Sequence, residues 1–241
     1  MRITLLLVLA LLALPDPALA QEVSLNFGDG SSFSARTIQL FALITILSLA
    51  PGIAIMVTCF PFLVTVLSIL RQAIGLQQSP PNMLIVSLAL FLTYFIMEPV
   101  FQSAWELGIA PLVREEITIE VAFDLTMGPF REFMTARVDM DTLTSISELR
   151  FPDGTLAGNE EIPLSVLVPS FLISEVSRAF QVGFLIFLPF LVIDLVVAAV
   201  LMSMGMMMVP PAVVSLPFKL SFFVVADGWT LIAGSLVRSY F

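Results

Sequence analysis

The sequence predicts an all-α, polytopic membrane protein built of two kinked helical hairpins, and three observations predict it. Of the 241 residues, 59% are hydrophobic and 12% charged, with a mean hydropathy of +1.04; soluble domains carry roughly a quarter charged residues. Two long apolar blocks, 37–105 and 164–241, flank an acidic segment. Proline recurs inside both blocks, and a proline within a membrane helix frees a carbonyl and bends the rod. The chain has no histidine and one cysteine, Cys59. Zinc sites, histidine-based triads and disulfide frameworks are thereby excluded. No catalytic residue, cofactor, metal or nucleic acid partner is expected.

Residues 1–20 read as a cleavable secretory signal: Arg2, an apolar run over 3–14, a proline-containing break, then Ala18-Leu19-Ala20 before Gln21. The run falls well short of the roughly 20 residues that span a bilayer, which disfavours an uncleaved anchor. Cleavage between Ala20 and Gln21 would leave 21–36 as an extracytoplasmic N-terminal segment. Cys59 lies in an apolar run and reads as a small core or lipid-facing residue.

Residues 37–70 are almost wholly apolar, interrupted by Pro51-Gly52 and by Pro61 and closed by Arg71. A polar connection over 77–82 leads to a second apolar run, 83–105. This predicts the first transmembrane hairpin, 37–105, with its turn at Arg71 on the cytoplasmic side, in accord with the positive-inside rule.

Between residues 106 and 161 lie twelve of the nineteen acidic residues, against four arginines: Arg114, Arg131, Arg137 and Arg150. Lysine-free acidic connections are typical of translocated loops. Residues 106–163 are therefore expected to be extracytoplasmic, with short amphipathic helices, for example over 141–149, and no large core of their own. A solvated face is favoured over a patch for basic partners.

In the last block Ser170, Ser174, Ser177 and Gln181 recur at intervals of four, three and four, one polar stripe on a helix, with Glu175 and Arg178 beside it. Such a stripe is expected to face protein. Residues 181–208 extend the helix by 28 residues, about 42 Å against a hydrocarbon layer of about 30 Å. A simple vertical crossing does not accommodate that length. Pro210-Pro211 then stop the helix, and a last helix from 212 to about 237 completes the second hairpin, 164–241. Pro61-Phe62, Pro189-Phe190 and Pro217-Phe218 within these apolar segments predict curved or broken helices packed on other protein.

Ionisable residues in apolar helices are costly and mark candidate sites; here they are Glu98, Glu175, Arg178, Asp194, Lys219, Asp227 and Arg238. Glu175 has two candidate partners. Arg178 is three residues on along the same helix, and Lys219 could reach it if the two helices pack side by side in an assembly; spacing alone favours Arg178. Asp194 and Asp227 read as buried structural acids in preference to the relay of a proton-coupled transporter. An intramembrane Ser-Lys hydrolase built on Lys219 and Ser221 is disfavoured, because residues two apart on a helix face different ways.

Met202, Met204, Met206, Met207 and Met208 crowd the approach to the double proline. On a regular helix they would read as apolar filling. Beside Gly205 and two prolines they instead coat a loop tip, where unbranched thioethers deform and reseal against varied surfaces. That suits a constriction that closes tightly and holds back water by dewetting.

The stretch running from FLISEVSRAF through GMMMVPP and PFKL to DGWTLIAGSL resembles the C-terminal signature of the FliP family of flagellar type III export gates, and MVTCFPFLVTVLSILRQAIGLQQSPPNMLIVSLALFLTYFIMEPVF resembles its first hairpin. The two matches cover about half of the chain. The resemblance implies assembly into a multi-subunit pore: a homo-oligomer, a pentamer in the family, which with FliQ and FliR forms the entrance for flagellar rod, hook and filament proteins. FlhA and FlhB would sit nearby, in the inner membrane at the flagellar basal body. It also implies that Met206, Met207 and Met208 form a gasket around the closed pore. Between neighbouring subunits Glu175 is implied to pair with Lys219, reversing the preference drawn from spacing. Virulence-type secretion relatives share both hairpins but generally lack a cleaved signal, so residues 1–20 favour the flagellar branch.

Overall fold

The computed structural model describes residues 33–76, 79–151, 162–206 and 208–241. The signal segment with its Ala20-Gln21 junction and Met207 lie outside the described residues, as does most of the expected N-terminal segment 21–36. Among the described residues the chain is helical and contains no strand. It divides after Ser48; residues 49–241 form one compact unit.

Helix α1 spans Phe33–Met56 and runs through Pro51 without a break. Its hydroxyls turn inward along the helix: Thr45 donates to the Phe41 carbonyl at 2.7 Å and Ser48 to that of Ile44 at 2.8 Å. This satisfies polar groups that lipid would leave unpaired. The chain breaks at residues 57–59, and α2 (Phe60–Ile74) begins with Pro61 in its first turn, where a missing N–H costs nothing. The expected first arm, 37–70, is thus two helices. The interruption falls before Pro61, and Pro51-Gly52 is carried inside α1. At 15 residues α2 is about 22 Å long, too short to cross a bilayer upright. It buries Phe62, Leu63, Val66, Leu67, Leu70 and Ala73.

Arg71 donates to the Pro80 carbonyl at 3.4 Å and to the Asn82 side chain, closing the connection to α3 (Asn82–Ala104). Helix α3 continues through a π-helical turn (Trp105–Ile109) into the short α4 (Ala110–Val113). The acidic segment then forms α5 (Ile119–Arg137) and α6 (Met140–Arg150). Asp139 caps α6 by accepting from the Thr142 backbone N–H at 2.9 Å and its hydroxyl at 2.8 Å. These helices do not stand apart: Met134, Val138 and Leu143 share a buried cluster with Val57, Val166, Leu167 and Phe171.

Helix α7 (Leu164–Ser203) is 40 residues long, about 60 Å, and carries Pro169 and Pro189 internally. It ends five residues before Met208, at Met204-Gly205, where Gly205 takes φ 74°, a conformation that a side chain would oppose. Helix α8 spans Pro211–Val225 and α9 spans Gly228–Arg238, with a bend of 61° between them. The single last helix expected from the sequence is therefore two. Asp227 at φ 49°, ψ 47° turns the chain, and a Cβ on Gly228 would lie 2.2 Å from the Phe223 ring, so glycine permits the close return. The main core gathers on α2, whose partners are α3, α7 and α8, with Cys59 wholly buried within it.

Among the described residues three helical segments are long and apolar enough to cross a membrane: Thr37–Met56, Asn82–Val113 and Leu164–Ser203. The bent pair α8 and α9 would make a fourth. Gly228→Ala is expected to lower the stability of the detergent-solubilised chain by about 1–3 kcal/mol through overpacking on Phe223. Gly234→Ala, where an added Cβ meets nothing within 4 Å, should be neutral or gain up to about 1 kcal/mol; thermal unfolding of the two variants checks the contrast.

Candidate gating loop and its ion-paired supports

The polar stripe of α7 divides in two. Ser170 and Ser174 are buried and donate to the carbonyls of Val166 and Ser170, each at 2.7 Å. Ser174 also accepts the Asp139 N–H at 3.0 Å, which ties the start of α6 to α7. Ser177 and Gln181 are exposed.

Glu175 lies on the buried side with 0% exposure. Arg137 at the end of α5 donates to it from Nε at 3.1 Å, Arg178 stands at 3.9 Å, and the Tyr240 hydroxyl donates to its other oxygen. Arg137 also donates to the Ser239 carbonyl at 2.8 Å and stacks over the Tyr240 ring at 3.7 Å. Burial, and after it the Glu175 charge, push the Tyr240 hydroxyl well above its ordinary range, so it remains a donor. The local pair favoured by spacing is present, but Arg137 is the nearer cation.

Lys219, the sole lysine in the sequence, is 6% exposed on α8. Its ammonium donates to Asp194 of α7 at 2.6 Å and to the Ala73 carbonyl in the last turn of α2 at 3.2 Å. A cation at a helix C-terminus satisfies free carbonyls and meets the negative end of the dipole. Ser215 completes the cluster by donating to Asp194 at 2.5 Å. Asp194, with 31% of its side chain exposed, is thus paired and only partly buried. Asp227, by contrast, is exposed on the single chain, where it accepts from the Thr230 hydroxyl at 3.1 Å. Within the chain Glu175 and Lys219 are not brought together: each has other partners. Ser221 is exposed, and Lys219 is committed to Asp194 and Ala73.

An apolar groove of about 590 Å³ lies between α7 and α8, lined by Val196, Val200, Met204, Met206, Val214 and Phe218. Met202, Met204 and Met206 are exposed, and Met208 at 98% exposure projects wholly clear of the chain. Pro210 precedes α8 and Pro211 opens it, so the tip is bounded by a left-handed glycine on one side and a double proline on the other. Sequence reasoning missed Arg137, Ser215 and Tyr240. Arg137 stood among surface arginines of an acidic stretch, and Tyr240 is the penultimate residue; their link to Glu175 spans 38 and 65 positions, beyond any local periodicity.

An all-α chain with several helices long and apolar enough to span a membrane, and with ion pairs folded into its interior, defines a polytopic membrane protein. Residues 43–236 match the model described as the FliP family. The chain belongs to that family. It is 52% identical over 240 residues to the flagellar biosynthetic protein FliP of Caulobacter vibrioides, covering 99% of this chain and 90% of that one. With the proteins of the same name from Rhizobium meliloti and Aquifex aeolicus the identities are 48% and 45%, covering 97% and 90% of this chain and 97% and 91% of theirs.

Removing one member of the Lys219 pair strands the other. Lys219→Met and Asp194→Asn are each expected to cost on the order of 2 kcal/mol, below the roughly 3–5 kcal/mol of a fully buried pair because Asp194 is partly solvated. The double variant should recover most of the loss, and a double-mutant cycle of thermal unfolding in detergent measures the coupling. Additive losses would contradict the pairing.

Proposed function

We propose that this chain is the core pore-forming subunit of the flagellar type III protein export gate in the bacterial inner membrane, where it serves export of rod, hook and filament proteins. The observation that carries the reading is the methionine-coated loop, held between Gly205 and Pro210-Pro211 and exposed beside an apolar groove. Several copies arranged around one axis would bring their loops together into a soft apolar ring. Such a ring excludes water and ions when closed and deforms around an irregular, unfolded polypeptide when open. The role is steric and hydrophobic, with no bond chemistry.

In this reading the assembly is a homo-oligomer, a pentamer, completed by FliQ and FliR with FlhA and FlhB adjacent, at the flagellar basal body. Asp194 and Lys219 hold α8 against α7 and α2, and so fix where the loop projects. Pairing of Glu175 with Lys219 between subunits would require both residues to exchange partners on assembly, since Arg137 and Tyr240 hold the one and Asp194 the other. Glu175→Lys and Lys219→Glu should then each abolish ring formation and the double exchange partly restore it, read by native mass spectrometry. Recovery in the Asp194→Lys, Lys219→Asp double variant alone would assign the essential pair to the interior of one subunit.

Replacing Met206, Met207 and Met208 together by glycine is expected to raise the leak of small ions through the assembled complex several-fold. The check is dye or ion efflux from vesicles that contain it. An unchanged leak in an intact assembly would remove the gating role.

A further inference from the structure

The geometry points to the methionine loop as a site of reversible oxidation by peroxide, a covalent modification that opens the constriction it forms. This rests on the gating reading above and adds a regulatory chemistry to the same residues. Among the described residues the sulfur atoms differ sharply in access, with Met127 half-buried between the extremes. Cys59, Met97 and Met134 are 0% exposed, sealed in the two cores. Met202, Met204, Met206 and Met208 are exposed within seven residues of each other. The backbone explains why: α7 ends at Ser203, Gly205 turns the chain, and the prolines prevent a helix from folding the thioethers back under cover. With the one thiol buried, the loop thioethers are the one cluster of exposed sulfur among the described residues. Met56, Met83 and Met140 are exposed too, but each stands alone at the end of another helix, and they serve as internal references.

The step balances simply. A thioether lone pair attacks one oxygen of hydrogen peroxide; the O–O bond breaks, an S–O bond forms, and water leaves. The sulfur is oxidised by two electrons and the peroxide reduced by two. The product sulfoxide is polar and accepts hydrogen bonds. A ring of thioethers excludes water because its lining offers water no partner; each sulfoxide supplies one, which favours wetting over dewetting. Methionine sulfoxide reductase reverses the change with a dithiol, which is oxidised to the disulfide as the oxygen departs in water. Of the groove lining, Val196, Val200, Val214 and Phe218 cannot be altered in this way, so within the groove the modification falls on Met204 and Met206.

The test uses the assembled complex in vesicles, titrated with hydrogen peroxide, with sulfoxide at each methionine quantified by peptide mass spectrometry and leak measured on the same samples. The loop methionines should oxidise at least about tenfold faster than Met97 and Met134. Leak should rise several-fold with loop sulfoxide and fall again after treatment with methionine sulfoxide reductase and dithiothreitol. In the Met206→Leu, Met207→Leu, Met208→Leu variant, whatever its resting leak, the peroxide-induced increment should be mostly lost; if that variant does not assemble, Met206→Leu and Met208→Leu read separately should each reduce it. Loop methionines no faster than Met97 and Met134, or an increment undiminished by leucine, would overturn the proposal. The two readings part cleanly. A complex that leaks with glycine in the loop but not with sulfoxide keeps the gate and loses the oxidation, whereas one that leaks with neither loses both.

Discussion

The constraint on which the rest of this structure depends is that a charge taken into an apolar layer must find its partner within the protein. Here two charges do so, Glu175 on the first half of α7 and Lys219 on α8, which reaches Asp194 on the second half. Glu175 is closed off by Arg137, Arg178 and Tyr240, which joins the acidic helices and the C-terminus to the first half of α7. Lys219 is closed off by Asp194 and the Ala73 carbonyl, which joins α8 and the end of α2 to the second half. Ionised pairs of this kind add little net stability compared with a well-packed apolar substitute, but they penalise every arrangement that separates them. They therefore specify which helices meet.

That specification leaves the rest of α7 free to serve another purpose. At about 60 Å the helix is twice the hydrocarbon thickness, so part of it must lie outside that layer or cross it at a steep angle. Its first half is anchored by the buried cluster of Met134, Val138, Leu143 and Phe171. Its second half carries an almost unbroken apolar surface to the methionine tip. The loop is thus the end of a long lever whose base is packed and whose tip is bare, and the ion pair at Lys219 sits where the lever meets its return helix. In the proposed gate, the soft side chains at the tip would adapt while the ion pair below it holds position.

Much of this was readable from residue order. The spanning helices follow from apolar runs that no other fold class would tolerate, and the loop follows from Gly205 and Pro210-Pro211, whose backbone preferences act locally. The bend at Asp227 was not foreseen, because it depends on Gly228 passing against the Phe223 ring and on an aspartate in a left-handed conformation that its sequence neighbours do not demand. Nor was the fate of the acidic segment, whose scattered apolar residues suggest little core until Val166, Leu167 and Phe171 are placed opposite them. Lys219 and Asp194 were both conspicuous as ionisable residues in apolar helices, yet their mutual pairing was not foreseen. They lie 25 residues apart, on two helices whose relative rotation only packing decides.

The central claim is that identical loops from several copies converge on one axis and close it. Because Cys59 is buried and is the sole native cysteine, Met208→Cys introduces one accessible thiol per chain, and oxidative cross-linking of the assembled complex in native membranes measures convergence directly. The account predicts disulfide-linked dimers of this chain in high yield, formed only when the complex is assembled. Cysteines that react fully with a membrane-soluble thiol reagent while yielding no cross-linked chains would place the tip in lipid and contradict it.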